Sequence, residues 1–140
     1  MKKVMVFGTF DILHPGHINF FRQAKKYGDY LIVVVARDLN VKKIKGELPI
    51  DNEAKRRNNI KKLKIVNEVI LGDLKDKFRV IEKKKPNVIC LGYDQKDFSL
   101  NNELDERKLN IKVIRLRPHK PEIYKSSILK LQAYRNKNKG

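Results

Sequence analysis

Two unbroken apolar runs constrain the fold of this chain more than any other feature. Val4-Met5-Val6-Phe7 ends at Gly8, and a longer run rich in Val and Ile extends from Tyr30 to Ala36. A strand with one wet face alternates apolar and polar residues. A strand that is apolar at every position is buried on both faces, as in a parallel sheet covered by helices. Between the two runs, Ile18, Phe21, Ala24 and Lys25 recur at helical spacing, Phe20 adds a second apolar position, and Gly28 supplies a C-terminal stop. The segment therefore reads as a βαβ unit.

The alternation continues along the chain. Helical segments are expected at Asn52 to Leu63, Lys75 to Lys84 and Asn101 to Lys108, followed by strands at Val66 to Leu71, Val88 to Leu91 and Ile111 to Leu116. A last helix is expected from about Lys125 to Tyr134. Right-handed crossovers between such strands give an α/β fold, a single Rossmann-like, doubly wound parallel sheet of five strands in the order 3-2-1-4-5. No linker or internal repeat divides the chain, so residues 1–134 are expected to form one domain. Residues 135–140 are polar and basic without an apolar anchor, and read as a tail.

Charge bounds the partners. Lys and Arg total 33 against 16 Asp and Glu, a formal net charge of +17, which creates a field attractive to nucleotides and nucleic acid alike. A basic nucleic-acid-binding module is thus an alternative to an enzyme, but no recognised nucleic-acid motif is present and aromatic residues are only 8%. The single cysteine, Cys90, cannot form an internal disulfide and lies in the apolar run Val88-Ile89-Cys90-Leu91, where a core thiol is expected. The N-terminus lacks the pattern of a signal peptide, and no apolar run approaches the roughly 20 residues that span a bilayer. The expected location is cytoplasmic, with no membrane contact.

The chemistry concentrates in the turn after the first strand. Gly8-Thr9-Phe10-Asp11 leads through Ile12 and Leu13 to His14-Pro15-Gly16-His17, which opens the first helix. In an open parallel sheet, ligands bind beyond the carboxyl ends of the strands. A helix N-terminus there offers free N–H groups and the positive end of a dipole, which suit a phosphate. Pro15 has no N–H to waste in a first turn, and Gly16 lets an anion approach the backbone. His14 and His17, three residues apart, can face the same anion. The third histidine, His119, lies in a basic stretch with no such context.

The segment Gly8 to His17 resembles the signature of the cytidylyltransferase-like nucleotidyltransferases, whose HxGH histidines contact the nucleotide triphosphate. The likeness extends from Val4 to about Leu131. It implies an in-line attack by a phosphate oxygen of the acceptor on the α-phosphorus, with pyrophosphate leaving and no covalent enzyme intermediate. Such chemistry needs positioning and charge neutralisation more than a nucleophilic side chain.

The resemblance also implies further site residues. Lys42 and Lys45, in a loop after the second strand, would close over the β- and γ-phosphates, with Lys42 also on the acceptor side. Arg56 stands where relatives carry a phosphate-binding arginine, with Arg57 as an alternative. Gly8, Thr9, Phe10, Pro15 and Gly16 would border the nucleotide with the two histidines. Gly92 and Asp94 would flank the base and ribose if the fourth strand neighbours the first. Ser126 and Ser127 would hold the triphosphate from the start of the last helix, although helix capping also predicts serine there, and Tyr124 just before it would join the nucleotide-binding residues. Asp11 would fix the turn or contact the acceptor.

Within that superfamily, Val34 to Asp38, Lys42 to Gly46 and Leu91 to Gln95 look most like archaeal FAD synthases, which join FMN to AMP from ATP. Glycerol-3-phosphate cytidylyltransferases share the size and first motif but carry an Arg-Thr-Glu-Gly-Ile-Ser-Thr-Thr pattern. Here Arg117 to Ser127 lacks its Thr-Glu-Gly core. The implied substrates are ATP and FMN. A divalent cation, Mg2+, is expected because the reacting triphosphate is normally a magnesium complex, while no residue cluster has the spacing of a dedicated metal site. Relatives are often dimers, which implies a homodimer.

Overall fold

The computed structural model describes residues 1–95 and 100–117. The elements run β1 (Lys3–Gly8), α1 (Pro15–Lys25), β2 (Tyr30–Val35), α2 (Asp38–Lys45), α3 (Glu53–Lys61), β3 (Glu68–Leu71), α4 (Phe78–Lys84), β4 (Val88–Leu91), α5 (Leu100–Glu106) and β5 (Lys112–Arg115). All strands are parallel, in the order β3-β2-β1-β4-β5 expected from the sequence. The expected C-terminal helix and basic tail, with His119, Tyr124, Ser126 and Ser127, lie outside the described residues.

Strand periodicity divides the core into two. On one face, Val4, Val6, Leu31, Val33, Val35, Val88 and Cys90 pack with Phe21 and Ala24 of α1 and Ile60 of α3. On the other, Met5, Ile32, Val34, Ile89 and Leu91 pack with Phe78 and Ile81 of α4 and Leu100 and Leu104 of α5. Odd and even positions of each strand serve opposite cores, which is why the runs are apolar throughout. Each fully buried Val, Leu or Ile contributes about 1.5–3 kcal/mol relative to exposure. The central strands therefore carry much of the stability.

Two expectations are corrected. Lys42, Lys43 and Lys45 were expected in a loop, but they form the last turn of α2. Asp38 in the first turn and lysines in the last match the helix dipole. Gly46 ends the helix at φ 84°, donating its N–H to the Lys42 carbonyl at 2.7 Å. Only Val41 of this helix is buried, while its other apolar residues, Leu39 and Ile44, are exposed. The start of α4 is also later than expected. Carboxylates of Asp73 and Asp76 take up the N–H groups of Lys75, Asp76 and Phe78 in local turns before the helix begins.

Candidate nucleotide-binding site

The order of strands sends β2 to one side of β1 and β4 to the other, opening a crevice beyond the carboxyl end of β1. The turn that leaves β1 is built around Phe10. Its φ of 50° is a conformation in which a side chain costs energy, and its ring folds back into the core at 7% exposure. A Cβ on Gly8 would stand 2.5 Å from the ring's Cζ, so glycine is required there to admit the ring. Phe10 packs against Phe20 and Phe21 and meets His17 edge-on, with ring centroids 5.3 Å apart at 85°. Both Gly8 and Phe10, expected beside the nucleotide, thereby form the support under His17.

His14 caps α1. Its backbone is extended, and its Nδ1 accepts a hydrogen bond from the Gly16 N–H at 3.0 Å, while Pro15 occupies the first turn. The amides of His17 and Ile18 donate to the His14 carbonyl. The helix mouth thus differs from the expected open cradle: the Gly16 amide is committed to His14. Because Nδ1 is an acceptor, the proton of the neutral ring is assigned to Nε2. That Nε2 is buried in the structure, as is Nδ1 of His17.

The His17 ring stacks on that of His14, with centroids 3.8 Å apart and planes 29° from parallel. Its Nδ1 is buried without a hydrogen-bond partner. Burial, and then the neighbouring His14, push the His17 pKa down to about 3, against a smaller upward pull from a hydrogen bond with the Ile12 backbone. Burial lowers His14 in the same direction. Both rings are therefore neutral near pH 7, which is what allows them to stack so closely. A bound polyanion would reverse the balance by favouring the cation.

The other edge of the crevice is the loop after β4. The Gln95 side chain donates from Nε2 to the Phe7 carbonyl at 2.8 Å and accepts the Gly92 N–H at 2.7 Å, tying the ends of β1 and β4 together. Arg115, at the end of β5, donates to the carbonyls of Gly92 and Gln95. Gly92 and Asp94 lie on this loop as expected, with Asp94 exposed. The roles of Gln95 and Arg115 were not apparent from sequence. Gln95 stood within a recognised segment, whereas nothing local marks Arg115.

A third wall joins the β1 turn to α2 and α3. Asp11 is 3% exposed, and its carboxylate accepts the N–H groups of Ile50 and Asp51 at 2.8 and 2.9 Å. Of the two roles expected for it, fixing the turn is the one this geometry supplies. Arg56 is a correction, because its side chain is 0% exposed and hydrogen-bonded within the protein. It donates to the Thr9 carbonyl at 2.9 Å, the Asp51 carbonyl at 3.0 Å and Asp38 Oδ1 at 2.6 Å. A guanidinium so enclosed has no face for a phosphate. Arg57 is half-buried, and Lys42 and Lys45 are exposed on α2. Along α1 itself, Leu13, His14, Pro15, Ile18, Asn19, Arg22 and Leu63 line an open depression of about 540 Å3.

A parallel α/β sheet with paired imidazoles at the mouth of its first helix defines a class of nucleotide-phosphate-binding proteins. Residues 5–132 match the cytidylyltransferase-like family, and the chain belongs to that family. Over 119 residues it is 53% identical to the FAD synthase of Ferroglobus placidus, covering 84% of this chain and 77% of that protein. The FAD synthase of Thermoplasma acidophilum is 39% identical over 132 residues, 93% of this chain and 92% of its own. Among solved structures, a lipopolysaccharide core biosynthesis protein from Thermoplasma volcanium superposes with a TM-score of 0.80 at 39% identity, covering 85% of this chain and 98% of that one. The pantoate-beta-alanine ligase of Francisella tularensis, at 18% identity and TM-score 0.56 over 82% of this chain and 58% of its own, shares the fold.

Proposed function

We propose that the chain is an FAD synthase: it transfers AMP from ATP to the phosphate of FMN and releases pyrophosphate. The reading is carried by the stacked His14 and His17 at the mouth of α1, supported by the identity to archaeal FAD synthases over most of the chain. A phosphate oxygen of FMN attacks the α-phosphorus, one P–O bond forms, and the bond to the pyrophosphate oxygen breaks. No side chain need act as nucleophile. His14 Nε2–H, and His17 Nδ1 once the bound polyanion favours the ring's cation, supply donors toward the charge that develops at the transferring phosphorus, where each such donor is worth about 10²–10³ in kcat.

Lys42 and Lys45 hold the β- and γ-phosphates as flexible cations. The backbone of Thr9 to Gly16, with Gly92 and Asp94, borders the nucleotide. Tyr124, Ser126 and Ser127 belong to the same reading through the family motif. Leu13, Ile18 and Leu63 offer the flat isoalloxazine ring an apolar wall beside His14. Among the described residues, no group of three or more His, Cys, Asp or Glu side chains is placed to hold a metal ion. A divalent cation such as Mg2+ would enter with the triphosphate, held by its oxygens. No helix among the described residues is long and apolar enough to cross a membrane. Cytoplasmic residence and a homodimer complete the reading, the latter checked by light scattering.

The decisive assay mixes the purified chain with FMN, ATP and Mg2+ and follows FAD and pyrophosphate by chromatography, in parallel with CTP and glycerol 3-phosphate. FAD formation that is lost in His17→Ala, with the fold intact, is the expected result. Turnover of CTP and glycerol 3-phosphate without FAD would overturn the assignment.

A further inference from the structure

The loss of Arg56 as a phosphate ligand leaves its burial to be explained. A guanidinium withdrawn from water is costly unless its donors find partners in good geometry. Here three of its nitrogens reach three separate segments: the Thr9 carbonyl in the β1 turn, the Asp51 carbonyl before α3, and the Asp38 carboxylate at the start of α2. Asp38 and Glu53 then cap each other's helices. Asp38 Oδ2 accepts the Glu53 N–H at 3.1 Å, and Glu53 Oε1 accepts the Asp38 N–H at 2.9 Å. Arg37 closes the ring, pairing with Glu53 Oε2 at 2.9 Å and donating to the Gly72 carbonyl beyond β3 at 2.8 Å.

The only buried side chain of α2 is Val41, at 3% exposure. Apolar packing therefore gives this helix little orientation, and the polar ring at its N-terminus supplies the rest. Lys42 and Lys45 lie one and two turns further along the same short helix. We infer that Arg56 is a positioning residue, which fixes α2 against the turn that carries the histidine motif and so sets Lys42 and Lys45 relative to His14 and His17. The inference rests on the nucleotidyltransferase reading for the task of the lysines, while the mechanical coupling stands independently of it.

Two measurements test it. Hydrogen exchange in Arg56→Lys and Asp38→Asn should quicken at least tenfold across residues 38–46 while β1 and β2 remain protected. Both are milder than truncation to alanine, and a retained cooperative melting transition identifies the folded material compared. In steady-state FAD synthesis, Arg56→Lys and Lys45→Ala should each lower kcat/KM for ATP by about tenfold or more. The double variant should be no worse than the poorer single variant, because both remove the same aligned cation.

Unchanged exchange in α2, or losses that multiply in the double variant, would overturn the inference. A wild-type chain inactive on FMN and ATP whose α2 still loosens in Arg56→Lys would overturn FAD synthesis and support the coupling.

Discussion

His17 offers a quantitative test of the site through pH. The folded ring is held down to about 3, first by burial and then by His14, whereas an unfolded imidazole titrates near 6.5. Below pH 6.5 the unfolded chain binds a proton at this position that the folded chain refuses. The neutral ring's contribution is therefore present above pH 6.5 and is lost progressively as pH falls toward 3.

One proton corresponds to about 1.4 kcal/mol per pH unit, so the roughly 1.5 units between 6.5 and 5 remove about 2 kcal/mol of stability. Urea unfolding at pH 8 and pH 5, for the wild type and His17→Gln, isolates this term, since all other titrating groups are common to both. The wild type should lose about 2 kcal/mol more than the variant over that interval. Equal losses would refute burial of a neutral imidazole beneath the helix mouth. A bound triphosphate should shrink the difference, because its charge favours protonation of the ring.

Three further outcomes follow from single contacts. Asp11→Ala strands two part-buried backbone N–H groups, those of Ile50 and Asp51, and should cost about 2–6 kcal/mol in urea unfolding, summing roughly 1–3 kcal/mol for each donor. Gly8→Ala places a methyl 2.5 Å from the Phe10 ring and should destabilise by about 1–3 kcal/mol, with kcat falling as the support under His17 shifts. Cys90 is fully buried, and burial pushes its thiol up to about 12, so a disulfide thiol reagent at pH 8 should label it only after denaturant is added.

The sequence by itself determined the sheet. Runs such as Val4 to Phe7 and Tyr30 to Val35 are apolar at odd and even positions because each parity faces its own helical layer, and that demand is local enough to read directly. The placement of His14 and His17 was legible for the same reason, since a strand, a glycine turn and a proline at a helix start are all short-range signals. Helix α2 was missed because it is only eight residues long and four of them are charged, so the segment reads as a polar loop.

What only the tertiary structure decided is which polar groups meet. Arg56 and Thr9 are 47 residues apart in sequence, and Gln95 and Phe7 are 88 apart. Burial enclosed an arginine expected to meet phosphate among Thr9, Asp38 and Asp51, and made a loop glutamine the bond between two strands. A side chain's charge and shape are written in the sequence, but its access to solvent and its partners exist only once the chain has closed around it.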